Sequence, residues 1–197
     1  CVLGVTVFFV ISGFLITRIL VSELDGTHRI DLKKFWNRRI RRLLPAVLAM
    51  AAVLILVSAL WNRVLFTKAC SDLLSAIFCY NNWHQIFRNI SYFENAGMPS
   101  PLTHCWSLSL EAQFYLLYPP LLIFFAKFQN WRKLSAFATL LLAVLSMGAM
   151  WILFDPSTDP SRVYYGTDTR AFSLLFGAFL AFMTTDKLIR RKRRAAP

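Results

Sequence analysis

Acidic residues are scarce in this chain: ten Asp and Glu stand against 22 Lys and Arg in 197 residues. Charge of either sign is thin as well, at 16% of residues, where a soluble domain carries roughly 25%. Cysteine stops at four (Cys1, Cys70, Cys79 and Cys105), with no CxxC pair and no Cys/His run at metal-ligand spacing. That spacing argues against a disulfide framework and against a zinc site. His28 and His84 have no acidic or cysteine partner at such spacing, so no metal and no chemistry is expected of them. The formal net charge of +12 comes in clumps between long uncharged runs, without the interleaved stacking aromatics of a nucleic-acid surface, so no nucleic acid is expected as a partner.

What remains is apolar. Hydrophobic residues make up 57% of the chain and 18 of them are Phe. A helix of about 20 apolar residues crosses the hydrocarbon core of a bilayer, and residues 1–17, 43–61, 105–126, 134–154 and 171–185 read as such spans, the third carrying only Glu111. Pro45 falls in the first turn of the second span as read, where proline is tolerated. Of the 22 Lys and Arg, eight lie in residues 18–42, three in 127–133, and six in the tail (Lys187, Arg190, Arg191, Lys192, Arg193, Arg194). Cytoplasmic loops concentrate such residues. With all three connectors on that side, His104 and the loop 155–167 fall on the outer side. The parity requires that residues 70–87, with Asp72, Asn81, Asn82, His84 and Gln85, do not cross; a re-entrant or interfacial helix is expected there. The expected fold is an all-α integral membrane protein, a polytopic bundle of about five transmembrane helices plus that one re-entrant or interfacial helix. Residues 1–197 form one partial transmembrane domain in this reading, without a soluble domain, in the cell (inner or cytoplasmic) membrane. With the N-terminus outside, one more helix is expected before residue 1.

Four stretches stand out against this background. Residues 99–120 (PSPLTHCWSLSLEAQFYLLYPP) place polar groups at the mouth of a span. On a helix His104 and Glu111 are nearly two turns apart, and Ser107, Glu111 and Tyr115 follow at four-residue steps, which gives one polar stripe. Ionisable groups at membrane depth face a bundle interior or a wet cavity and mark function by default. The second stretch, FWNRRIRRLLP, packs Arg38, Arg39, Arg41 and Arg42 into five positions; guanidinium forks suit phosphate, although lipid headgroups would also account for the cluster. In the third, YYGTDTR, Asp168 is placed to cap a helix, and Arg170 either turns inward toward Glu111 or snorkels to the interface. The fourth, GVTVFFVISGF at residues 4–14, has small residues suited to close helix packing.

These stretches, taken as GVTVFFVISGFLIT, FWNRRIRRLLPA, SPLTHCWSLSLEAQFYLLYP and YYGTDTRAFSLLFGAFLA in that order, resemble the membrane acyltransferase-3 family of bacterial O-acyltransferases. The resemblance implies an integral membrane enzyme that moves an acyl group from a cytoplasmic donor, acetyl-CoA or another acyl-CoA, to a hydroxyl of an extracytoplasmic glycan such as peptidoglycan or O-antigen. The donor is a substrate, and no bound cofactor is implied. Arg38, Arg39, Arg41 and Arg42 match the family's basic motif. His104, Trp106, Ser107 and Glu111 match its His-x-Trp-Ser…Glu motif, and Asp168 with Arg170 match its Asp-Thr-Arg. The family's Glu-Glu-Gln triplet reads Glu111-Ala112-Gln113 here. The family also has a first helix bearing an Arg and a His, expected before residue 1, and further helices after the last span.

Acyl transfer to a hydroxyl needs a proton acceptor and a donor for the oxyanion. Within this chain His104 is the candidate base and Glu111 its orienting partner. Arg170 is the candidate oxyanion donor with Asp168 holding it, and the arginine cluster, with Trp106 and Ser107, serves binding. A transporter or flippase with a charged pathway through Glu111, Asp168 and Arg170 is the alternative, as is a non-catalytic remnant of the enzyme. No internal repeat of the transporter kind is visible.

Overall fold

The computed structural model describes residues 2–91 and 100–195, with side chains for residues 3–91 and 100–184. Cys1, Pro99 and the tail cations Lys187, Arg190, Arg191, Lys192, Arg193 and Arg194 lie outside the described side chains. The described residues form helices and no strand: α1 (Val2–Thr27), α2 (Leu32–Trp61), α3 (Arg63–Ile77), α4 (Asn81–Phe87), α5 (Cys105–Ala126), α6 (Trp131–Leu153), α7 (Ser161–Tyr165) and α8 (Thr167–Ala195). Four of these, α1, α2, α5 and α6, are long and apolar enough to cross a membrane. The expected fifth span falls inside α8.

The helices run longer than the apolar stretches that signal them. Arg18 is not in a connector; it continues α1, and the turn to α2 is only residues 28–31. Asp31 caps α2 by accepting from the Lys34 N–H at 2.9 Å, so the arginine cluster is helical from its first residue. Pro45 therefore lies well inside α2 and not in a first turn as the apolar run suggested. Residues 70–87 resolve into the end of α3 and the short α4, broken at Cys79, whose φ is +56°. A 15-residue helix rises only about 22 Å, against about 30 Å of hydrocarbon, so neither piece can cross alone.

Two of the three basic connectors share one end of the bundle, because Asp25 at the end of α1 pairs with Arg132 at the start of α6. At the opposite end α4 packs against the start of α5 and against α7: Asn81 Nδ2 donates to the Leu102 carbonyl (2.9 Å), and Asn82 Nδ2 to that of Tyr165 (3.1 Å).

In lipid, helices associate by close packing and not by escape from water. Here α1 and α8 cross where both lack side chains. A Cβ on Gly13 would collide with the Leu174 carbonyl, and one on Gly177 with that of Val10. The two backbones touch at that point, and this contact sets the position of Ser12. Around the crossing Phe9, Ile16 and Leu20 of α1 pack with Leu174, Ala178 and Phe182 of α8 and with Leu110, Phe114 and Leu122 of α5.

Candidate active site

Glu111 lies inside the bundle at 4% exposure. Both hydroxyls in reach, Ser12 Oγ from α1 and Tyr115 OH one turn along α5, donate to the same carboxylate oxygen, and they are 2.6 Å from each other. An ionised carboxylate in hydrocarbon is costly unless hydrogen-bonded, and these two hydroxyls meet that need. Ser12 comes from the glycine-rich stretch read from sequence as a packing element. It serves both purposes, since Gly13 fixes the backbone and Ser12 faces Glu111.

The pair Pro119-Pro120 completes the arrangement. Proline offers no N–H, so Pro119 leaves the Tyr115 carbonyl without its helical partner. The indole of Trp36 fills that vacancy, with Nε1 at 3.0 Å from the Tyr115 oxygen. The start of α2 is thereby docked at the middle of α5, and it brings Arg39 inward. The Arg39 guanidinium lies 5.5 Å from the Phe35 ring centroid and 5.6 Å from that of Tyr115. Its Nε is buried without a hydrogen-bond partner among the described residues.

The four arginines, equivalent in sequence, thus part in space. Arg38 pairs with Glu23 at 3.8 Å, and Arg41 and Arg42 are exposed. Only Arg39 lines a groove of about 570 Å³ between α2, the α3–α4 break and α5, whose walls include Leu43, Val47, Ile77, Ala112 and Leu116. Gln113 and Cys79 close its far wall. Gln113 Nε2 donates to the Cys79 carbonyl (3.0 Å) and to Asn82 Oδ1 (3.0 Å), and its Oε1 accepts from Thr167 (2.6 Å).

Behind that wall is a second buried carboxylate. Asp72, at 1% exposure, accepts from Gln85 Nε2 (3.2 Å) and Ser71 Oγ (3.2 Å), meets His84 Nε2 at 3.2 Å and pairs with Arg88 at 3.5 Å. His84, with no acid at metal spacing in sequence, has one in space. Ser75, Asn81 and Ser109 extend the network onto α5. No cluster that could hold a metal occurs among the described residues.

At the opposite end the sequence candidates separate. His104 is the exposed N-cap residue of α5, makes no side-chain cap bond, and is not joined to Glu111; Ser107 donates to its carbonyl at 3.3 Å. The stripe holds from Glu111 to Tyr115 and breaks toward the mouth. Trp106 is buried, its ring 4.7 Å from Tyr164, 5.7 Å from Tyr165 and 6.1 Å from Phe9. Asp168 does not hold Arg170: it takes a bidentate bond from Arg162 at 2.8 and 3.1 Å, and Gly166 leaves the room for that clamp. Arg170 does not turn to Glu111 either. Its guanidinium lies 4.5 Å over the Tyr164 ring, which also touches Trp106. Two residues apart on a helix diverge, which is why Asp168 and Arg170 find different partners.

A many-helix membrane bundle with a buried, hydroxyl-bonded carboxylate beside an arginine-lined groove is the class these features define. The chain belongs to the acyltransferase domain family, whose model matches residues 1–196. It is 46% identical over 181 residues to the peptidoglycan O-acetyltransferase OatA of Listeria monocytogenes, covering 92% of this chain and 29% of that protein. It is 42% identical over 182 residues to the O-acetyltransferase OatA of Staphylococcus aureus, covering 92% of this chain and 30% of that protein. The chain thus spans less than a third of the length of these relatives. No solved structure matches it.

Proposed function

We propose that the protein takes part in O-acetylation of a cell-wall glycan, moving an acyl group from acyl-CoA on the side of the basic connectors to a hydroxyl of peptidoglycan on the other. The observation that carries this reading is Glu111 with its two hydroxyl donors, one of which, Tyr115, lines a groove together with Arg39. Family membership and the names of the relatives support the reaction class and the acceptor.

The chemistry asked of the site is modest in kind. The acceptor oxygen attacks the thioester carbonyl carbon and the C–S bond breaks. The proton leaves the hydroxyl for the Glu111 carboxylate, directly or through Ser12 or Tyr115, and passes on to the departing thiolate. A positioned base of this kind contributes roughly 10²–10⁴-fold. Arg39 faces the charge that develops on the carbonyl oxygen, while Arg38, Arg41 and Arg42 receive the donor's phosphates as forks and point charges. The pantetheine arm lies along the apolar groove. His104 at the outer mouth receives the acceptor, with Ser107 beside it. Trp106 acts by packing the α5 mouth against Tyr164.

The test is transfer from radiolabelled acetyl-CoA to peptidoglycan fragments by the full-length protein in sealed vesicles, with donor and acceptor on opposite sides. Labelled glycan in the wild type and none with Glu111→Gln, at equal protein level, is the expected result. Acceptor movement across the membrane without donor consumption would instead make the protein a transporter.

A further inference from the structure

The geometry points to a carboxylate-binding subsite at Arg170, a place where an acid group on the acceptor glycan is held during transfer. This rests on the acyl-transfer reading for its ligand but on separate residues for its evidence. Beside the end of α6 and α7 is a cleft of about 410 Å³, walled by Met150, Trp151, Phe154, Val163 and Tyr164, with Arg170 as the charged residue of its lining. The Arg170 guanidinium has no hydrogen bond and no ion pair among the described residues, and its Nε is buried without a partner.

The nearby acids do not supply the missing anion, because each is already engaged. Asp168 is clamped by Arg162. Asp155 accepts from the Ser157 N–H (2.9 Å) and Oγ (2.6 Å), bonds that hold its carboxyl below the usual range. Asp159 accepts from the Ser161 N–H (3.2 Å) and Oγ (2.8 Å). A half-buried cation among apolar walls without a counter-charge is a favourable place for an anion. The cation–π contact with Tyr164 uses none of the guanidinium's N–H donors, so the fork stays open to a planar bidentate acceptor, and a carboxylate fits that fork. The aromatic walls offer flat apolar faces to the C–H faces of sugar rings. The cleft lies next to the mouth of α5, since its wall residue Tyr164 also packs against Trp106.

The experiment compares two acceptors for the full-length protein in neutral-lipid nanodiscs: a cell-wall disaccharide whose short peptide ends in a free carboxylate, and the same compound as its terminal carboxamide. Binding is measured by calorimetry and transfer by acetyl-CoA turnover. One charge-assisted fork is expected to favour the acid by roughly ten- to a hundredfold in Kd, and in KM more than kcat. Arg170→Gln should bring that ratio close to one, and Arg170→Lys, with charge but no fork, should leave it in between. Equal binding of acid and amide by the wild type, or a ratio unchanged in Arg170→Gln, overturns the subsite. So does an Arg170-dependent response to added phosphatidylglycerol without a carboxylate preference. Arg170-dependent binding of the acid without acylation leaves the subsite standing and removes the acyl-transfer reading instead.

Discussion

Glu111 and Asp72 are both carboxylates buried to within a few per cent in the same bundle, yet their surroundings differ in kind. Asp72 is met by an amide, an imidazole, a guanidinium and a hydroxyl, most of them groups that only donate toward it. Its lone pairs are spoken for and its charge is matched. Glu111 meets two hydroxyls, which can take a proton as readily as give one, and the nearest cation lies over an aromatic ring rather than on the carboxylate. A saturated carboxylate ties helices together. One held by exchangeable hydroxyls beside a groove can move a proton. The comparison teaches that burial alone does not mark a site; the chemistry of the partners does.

The largest effect that would break this contrast is on turnover. Glu111→Gln keeps the shape and most hydrogen bonds while removing the base, and glycan acetylation per molecule should fall by about 10²–10⁴-fold with the protein level unchanged. A fall of less than tenfold would place Glu111 with Asp72 among the structural acids.

Asp72→Asn should do the reverse. Neutralising the buried partner of an exposed cation weakens its charge-assisted hydrogen bonds and costs about 1–3 kcal/mol, so the protein should melt earlier and accumulate less in membranes. Acetylation per folded molecule should stay within about threefold, since the groups that distribute the loss are bonds of α3 to α4 and not of the groove. Thermal melting and activity normalised to folded protein measure the two halves separately.

How much of this contrast was legible in the sequence depends on whether partners lie within a few residues of one another. Glu111 and Tyr115 are four apart, and helical geometry placed them together in advance. The four long apolar helices and the shared end of the first two basic connectors were legible from apolar length and charge bias. Ser12 is 99 residues from Glu111, and only the crossing of α1 with α8 brings it there. Asp72 and His84 belong to different helices around a break at Cys79, which spacing rules for one helix cannot anticipate. The pairing of Asp168 with Arg162 instead of Arg170 follows from a turn at Gly166. One signal was present and unused: Pro119 vacates the Tyr115 carbonyl, and an indole in the basic cluster, Trp36, is a suitable donor to fill it.

That docking bond supports the next prediction in size. Trp36→Phe keeps the ring and removes the donor, leaving a carbonyl unsatisfied at membrane depth, and it should loosen the seat of Arg39. Arg39→Gln removes the cation itself. Both should lower acetyl transfer by roughly tenfold, a net loss near 1.4 kcal/mol that suits one charge-assisted or buried bond. In Arg39→Gln the loss should fall on kcat, whereas Arg41→Gln, on the exposed side of α2, should raise the KM for acetyl-CoA. Equal behaviour of the two variants would return all four arginines to the role of a headgroup anchor.

The smallest effects compare one hydroxyl from each region. Ser12→Ala takes a donor from Glu111 but leaves Tyr115, so turnover should drop by about three- to tenfold at unchanged KM, with melting shifted little because Gly13 still makes the helix contact. Ser71→Ala takes a donor from Asp72 but leaves Gln85, His84 and Arg88; it should cost about 0.5–1.5 kcal/mol of stability and leave turnover within twofold. Ser12→Thr restores the hydroxyl and tests whether the loss in Ser12→Ala is chemical. Recovery of turnover ties Ser12 to the proton on Glu111. A threonine that folds normally and remains slow would mean that Ser12 matters only as a small residue where two backbones meet.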